Sequence, residues 1–308
     1  MRVEKDFLGE VQVPDDVYYG VQTMRAIKNF PITGQKIYPE MIKALGTIKC
    51  ACAMANMSTG RMDKKIGDAL VAACKEIMAG KFDDQFVTDV IQGGAGTSIN
   101  MNSNEVAVNR ALELIGEAKG RYDIISPNDH ANMAQSTNDV FPTAIRLTSI
   151  TLGDRLIAEL KELKKAFEAK AEEFKTVIKM GRTHLQDAVP VTLGQEFAGY
   201  ANVTQRAIDR IEHSLNHFYT LNMGATAVGT GLNAEPEYIV AVVKAISELT
   251  GKEFKSAGNL IDATQNCDEV CEMSSVLKAT AFAFIKIAND LRLMASGPKC
   301  GWYEIKLP

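Results

Sequence analysis

Residues 156–178, LIAELKELKKAFEAKAEEFKTVI, decide the fold class. Leu156, Leu160, Leu163, Phe167, Ala171, Phe174 and Ile178 recur in steps of four and three, which gathers them into one stripe along a helix. Between Pro142 and Ile178 there is no further proline and a single glycine, Gly153. A second stripe follows at Leu193, Phe197, Tyr200, Thr204, Ile208, Ile211, Leu215 and Phe218. A third runs through Val270, Ser274, Leu277, Ala281, Phe284, Ala288, Leu291 and Ala295, and Gly297-Pro298 stops it. Long amphipathic helices cannot bury such stripes singly; they must pack on each other, on further helices or on another subunit. Strand-like alternation is scarce, so the expected class is all-α.

Outward from the stripes, the N-terminal half is more broken. Residues 1–35 read as an irregular lead-in with Pro14 and Pro31. Helical period begins near Glu40 and runs through Ala44, Leu45, Ile48, Ala51, Cys52 and Ala55; a second helix is expected from about Lys64 to Met78. Gly93-Gly94-Ala95-Gly96 marks a loop, helix resumes from Asn104 to about Leu114, and a polar loop occupies Gly120 to Asp139. The expected organisation is a mixed N-terminal domain, 1–139, followed by a long-helix bundle, 140–308.

Composition narrows the function classes. The 308 residues are 46% hydrophobic and 23% charged, ordinary for a globular protein, and 34 basic against 38 acidic residues leave a net charge of −4. A mild acidic excess gives no electrostatic reason to expect nucleic acid or an anionic membrane as partner. No apolar run approaches the roughly 18–20 residues that span a bilayer. The opening Met1-Arg2-Val3-Glu4-Lys5-Asp6 lacks the apolar core of a secretory signal, so a cytoplasmic protein is expected. Scattered Cys50, Cys52, Cys74, Cys267, Cys271 and Cys300 then read as reduced thiols, with no histidine nearby to complete a zinc pattern.

Three polar clusters lie at loops or helix starts, where function concentrates. The first, Gly93 to Asn102, offers backbone N–H groups free of Cβ interference, with Thr97 and Ser98 beside them at the start of a helix. It matches no complete nucleotide-loop pattern, and neither does Gly229-Thr230-Gly231. The second holds Ser126-Pro127-Asn128-Asp129-His130 and Gln135-Ser136-Thr137-Asn138-Asp139. One such residue would cap a helix; five in a row exceed that need, and the neutral donors Ser136, Thr137 and Asn138 suit a carboxylate. The third is Gly181 to Pro190, where Thr183 and His184 share a connection with Asp187, an acid able to orient the ring. His213 and His217 stand at i, i+4 on a helix and could ligate a metal, but no third ligand is obvious.

These clusters, in this order and spacing, resemble the aspartase/fumarase superfamily of elimination enzymes. The similarity starts at Arg2-Val3-Glu4-Lys5-Asp6-Phe7-Leu8-Gly9, passes Tyr18-Tyr19-Gly20-Val21-Gln22-Thr23, and continues to Pro308. Met180 to Pro190 and Asn222 to Asn233 resemble the aspartase branch more than the fumarase branch. The resemblance implies reversible deamination of L-aspartate to fumarate and ammonium through a dianionic aci-carboxylate held by an array of donors. It implies substrate contacts from Thr97, Ser98, Ser136, Thr137, Asn138, Thr183 and His184, with His184 binding and orienting a carboxylate. Ser126 to Asp129 resemble a secondary anion site. Neither an organic cofactor nor a metal is implied, and the expected partners are the small-molecule substrate and further copies of the chain, four in the intact family.

In that family the active site draws on three subunits, and the chain continues for roughly 150 residues more, about one further domain. The continuation opens with a flexible G-S-S-x-M-P-x-K-x-N loop whose serine is the catalytic base. The 308 residues stop before that loop, so the resemblance implies a C-terminally truncated lyase, its bundle incomplete, with little activity by itself. A non-catalytic assembly module and a fumarate hydratase are the alternative expectations.

Overall fold

The computed structural model describes residues 1–308. Its elements are β1 (Arg2–Asp6), β2 (Gly9–Val13), α1 (Val21–Asn29), α2 (Pro39–Ser58), α3 (Lys64–Met78), α4 (Thr97–Leu114), α5 (Thr137–Glu173), β3 (Ile178–Thr183), β4 (Gln186–Thr192), α6 (Leu193–Leu215), β5 (Thr220–Leu221), α7 (Pro236–Thr250), β6 (Lys255–Ser256), α8 (Leu260–Gln265) and α9 (Asp268–Met294). The class is all-α, as the stripes require; the strands form three isolated pairs, β1–β2 and β3–β4 antiparallel and β5–β6 parallel. No helix is long and apolar enough to cross a membrane. Two compact units emerge, Met1–Thr151 with Phe218–Asn266, and Leu152–His217 with Cys267–Pro308.

The first unit is organised around α2. Pro39 sits in its first turn, where a missing N–H costs nothing. Every residue from Ala44 to Ala53 is buried, so α2 has no solvent face over that stretch and packs against α3, α4 and α7. Helix α7, absent from the sequence-based expectations, begins with Pro236 and ends at Gly251, whose left-handed backbone (φ 67°) donates its N–H to the Ser247 carbonyl. The lead-in is also more ordered than expected: β1 and β2 pair in register from Arg2–Val13 to Asp6–Gly9. Helix α1 follows them, and its first-turn N–H groups are capped from a distance. Glu105 of α4 accepts from the backbone of Gly20 (2.8 Å), Gln22 (2.7 Å) and Thr23 (3.1 Å), while Glu4 accepts from Val21 (2.8 Å).

Helix α4 begins at Thr97, seven residues before the expected start at Asn104. Its first two turns are polar, which hides the apolar period, yet Asn100, Asn102, Ser103, Asn104, Glu105 and Asn109 are all buried. Helix α5 likewise starts before Pro142 and carries that proline inside it. Proline cannot donate to the carbonyl four residues back, which is that of Asn138. Asn222 repairs the gap: its Nδ2 donates to the Asn138 carbonyl at 3.0 Å, and its Oδ1 accepts from Arg146 at 3.2 Å.

The second unit packs parts of α5, α6 and α9 around Phe167, Leu193, Phe197, Tyr200, Ala201, Ile287 and Met294. The rings of Phe197 and Tyr200 meet edge to face at 5.6 Å, and Phe167 and Phe174 each close on the cluster with centroids 5.7 Å from Tyr200 and Phe197. Thr192 and Gln195 form a reciprocal capping box at the start of α6. The third stripe is displaced from its expected position. The buried residues of α9 are Met273, Thr280, Ile287 and Met294, with Phe284 and Leu291 partly buried beside them, whereas Val270 and Leu277 are 40% exposed. A strict seven-residue spacing is the seam of a helix packed as in a coiled coil, so the contacting face lies one position away from the most apolar one.

Asn222→Ala removes both the donor that serves the Asn138 carbonyl and the acceptor of a buried guanidinium, and is expected to cost about 1–3 kcal/mol in chemical denaturation. In a Pro142→Ala background the helix regains its own donor, so the cost of the same substitution should shrink; equal costs in both backgrounds would refute the repair.

Candidate active site

Two of the three polar clusters meet in the first unit. The loop before α4 turns on Gly96, whose φ of 102° is left-handed. A Cβ there would stand 2.3–2.6 Å from ring carbons of Phe141, so only glycine lets this loop lie against the first turns of α5. Asn100 then donates to the Thr137 hydroxyl at 3.3 Å and to Asn132 Oδ1 at 3.2 Å. The N-termini of α4 and α5, with Thr97 and Ser98 on one and Ser136, Thr137 and Asn138 beside the other, are thereby held together. Two helix starts side by side make a region of positive potential rich in neutral donors.

Individual hydrogen bonds show what each side chain still offers. The Ser136 hydroxyl oxygen accepts from the Asn138 backbone N–H (3.2 Å), and that of Thr137 accepts from Asn100; both keep a proton to donate. Asn138 spends one amide proton on the Ala227 carbonyl at 2.7 Å and retains the other. Thr97 donates to the Gly94 carbonyl at 2.6 Å, so its hydroxyl must rotate to donate elsewhere. Ser98 is half-buried on the following position. Ser126 caps a single short turn, accepting from the Asp129 N–H at 3.1 Å, and its own N–H donates to His130 Nδ1 at 2.8 Å.

Beneath these donors lies a buried layer that sequence reading did not identify as a unit. Lys49, on the enclosed face of α2, donates to Asn132 Oδ1 (3.1 Å) and Gln135 Oε1 (2.8 Å). Asn104 donates to the same Asn132 oxygen at 3.3 Å. Asp139 is fully buried and accepts from the backbone N–H groups of Ser136 and Thr226, both at 3.0 Å. Burial pushes Asp139 up to about 6, opposed by those N–H groups and by Lys49. Burial pushes Glu105 up to about 7 and Lys49 down to about 8. A lone lysine between Ile48 and Cys50 in a run of small and apolar residues was the available signal for this layer.

The third cluster belongs to the second unit and is a β-hairpin, where a plain connection was expected. Thr183 pairs with Gln186, leaving His184 (φ 51°) and Leu185 (φ 60°) as the two central residues of the turn. Two successive positive φ values define a type I′ turn, which normally takes Asn-Gly. A histidine and a leucine there carry backbone strain on the order of 1 kcal/mol or more each, tolerated where the side chain has a task. Asp187 stands opposite Arg182 in the backbone register of the hairpin, and no hydrogen bond joins its carboxylate to the His184 ring, contrary to expectation. His184 and Thr183 are exposed; His184 lines a cavity of about 720 Å3 with Lys179, Arg182, Tyr200, Lys286 and Asp290. Lys179 and Arg182 both pair with Glu304 at 2.8 Å, and Arg182 stacks 3.6 Å over the Trp302 ring, which anchors the hairpin's base.

A family described as Lyase matches residues 9–308. The aspartate ammonia-lyase of Bacillus sp. is 58% identical over 308 residues, all of this chain and 66% of that protein. This chain therefore spans just under two thirds of that relative's length. Among solved structures, a fumarate lyase:delta crystallin from Brucella melitensis, crystallised bound to cobalt, superposes with a TM-score of 0.98 at 46% identity, covering 100% of this chain and 67% of that one. A class II fumarase from Schistosoma mansoni gives 0.94 at 38% identity, covering 97% and 66%.

The buried ammonium has a pH signature. Lys49 binds its proton less tightly when folded than at its ordinary value of 10.5, so between about pH 8 and 10.5 the unfolded chain holds more protons and stability rises with pH. The contribution is fully present above 10.5 and is lost as pH falls through 8, a span worth on the order of 3 kcal/mol. Lys49→Met should abolish that rise in denaturation curves taken across this window; an unchanged slope would contradict the assignment.

Proposed function

The chain belongs to the lyase family that matches it from residue 9 to 308, and on that premise we propose that it is the substrate-binding part of an aspartate ammonia-lyase. The reaction is the reversible conversion of L-aspartate to fumarate and ammonium. A base takes a proton from the carbon beside the β-carboxylate, the electron pair spreads into that carboxylate as a dianion, and its collapse expels the amino group. The carbon acid is weak, so the rate depends on donors that meet the second negative charge as it develops.

The observation that carries this reading is the pairing of the α4 and α5 N-termini, with the Ser136 and Thr137 oxygens satisfied from within and their protons free to face an anion. In this assignment Thr97, Ser98, Ser136, Thr137 and Asn138 bind substrate, and Thr183 and His184 hold a carboxylate from the hairpin of another subunit. Similarity to the superfamily supplies the base as a serine in a G-S-S-x-M-P-x-K-x-N segment, which these 308 residues do not contain. The division into an N-terminal domain, 1–139, and a bundle, 140–308, and the assignment to the cytoplasm belong to the same reading.

Assembly into homo-oligomers belongs to the same reading, and the exposed apolar surface supports it. Phe282 and Ile285 on α9 are 73% and 58% exposed, and Ile178, Leu185 and Val189 protrude from the hairpin. Apolar faces of this kind mark interfaces.

Fumarate formation from L-aspartate, followed by its ultraviolet absorbance, tests the activity. The 308 residues alone are expected to give little turnover, and robust turnover by them alone would show that the base lies within them. Extended with the C-terminal segment of the Bacillus relative, the chain should deaminate aspartate, and Ser136→Ala or Thr137→Val should lower kcat by about 10²-fold. Addition of water in preference to ammonium would identify a fumarate hydratase instead, and absence of both reactions an assembly module. Phe282→Asp combined with Ile285→Asp should shift the mass measured by light scattering toward the monomer.

A further inference from the structure

The pair His213 and His217 finds in the fold the third ligand that sequence alone does not reveal. His213 lies in the last turn of α6, and His217 in the single turn that follows it, and the two rings meet edge to face with centroids 5.5 Å apart and planes at 87°. Helix α9 packs on α6 within the second unit and brings Glu272 alongside. The Glu272 carboxylate oxygen stands 3.6 Å from His217 Nε2, and one ligand atom from each of the three residues lies within 4.8 Å of the others.

We propose that His213, His217 and Glu272 form a binding site for a divalent transition cation of the zinc class, with water completing the coordination. Zinc bonds of about 2.0–2.1 Å to imidazole and carboxylate place tetrahedral ligands roughly 3.3–3.4 Å apart. The His217–Glu272 separation nearly matches that spacing and is too long for a good hydrogen bond. The side chains of His217 and Glu272 are 50% and 43% accessible, leaving them freedom to close the remaining distance and leaving the ion a position open to water. Two imidazoles and one carboxylate favour zinc, nickel or copper over magnesium or calcium, which prefer oxygen-only shells. The bound ion joins the end of α6 to α9. It owes nothing to the proposed substrate site, since none of its ligands belongs to the three polar clusters.

Calorimetric titration of the chelator-treated protein with Zn²⁺, paired with thermal melts, tests the site. The expected result is one Zn²⁺ per chain, a melting point raised by several degrees, and affinity reduced at least about tenfold by His217→Ala or His213→Ala. Glu272→Gln should weaken binding more modestly, and circular dichroism of these surface variants checks that they fold. Exposed Cys267 and Cys271 lie near the same end of α9, so Cys267→Ser and Cys271→Ser serve as controls. Unchanged zinc affinity in both histidine variants overturns the proposal, as does loss of binding in the cysteine variants. Equal competition by Mg²⁺ would also overturn it, because an imidazole site discriminates against that ion.

Discussion

A buried ammonium that must be partnered by amides fixes how the helices of the first unit meet. Lys49 is buried, and leaving its charge unpartnered there would cost several kcal/mol, so Asn132 and Gln135 must stay where their oxygens meet it. Asn132 in turn receives Asn100 and Asn104 from α4, and Asn100 reaches Thr137 at the start of α5. A single chain of donors and acceptors thus passes from the enclosed helix α2 to the two helix starts that carry the candidate substrate groups. The network is not saturated, since the Asn100 and Asn104 side-chain oxygens are buried without a partner, but each of its bonds forms only where α2, α4 and the start of α5 meet in this arrangement.

The same economy explains why the donors at the surface remain available. Ser136 and Thr137 accept hydrogen bonds from within, which orients their hydroxyls while leaving each a proton to donate. Asp139 takes the backbone N–H groups of Ser136 and Thr226 and holds the loop ahead of α5 in place. The hairpin achieves rigidity by another route. Its base is clamped by Lys179 and Arg182 on Glu304, while His184 and Leu185 occupy a turn that neither residue favours. An exposed imidazole displayed at a strained tip is poorly placed to stabilise its own chain and well placed to meet something beyond it.

Much of the architecture was legible from residue spacing. The helix from Lys64 to Met78 agrees with expectation at both ends, and Phe167, Ala171 and Phe174 of the first stripe meet Leu193, Phe197 and Tyr200 of the second in the aromatic cluster, although α5 ends at Glu173 and leaves Ile178 exposed in β3. The start of α4 was not legible, because Thr97 to Asn104 bury polar side chains and periodicity detects only apolar ones. The stripe on α9 was misplaced by one position for a related reason. Val270 and Leu277 are apolar without being buried, and Thr280 is buried without being apolar, so hydrophobicity alone marks a face only partly shared with the packed one, through Phe284 and Leu291.

Of the candidate site, the residue types and their grouping into three clusters could be read directly, because glycine, hydroxyl and amide runs beside helix starts have few structural uses at that density. The sequence by itself also determined the all-α class, since a stripe of period 3.6 can be buried only by another helix packed on it. Tertiary structure alone decided which polar groups were spent and which were left to act. Asn222 became the substitute donor for Pro142, Lys49 the buried centre of a network, and Glu272 the neighbour of two histidines 55 and more residues away. Those outcomes depend on distances between elements remote in the chain, and local preference carries no information about them.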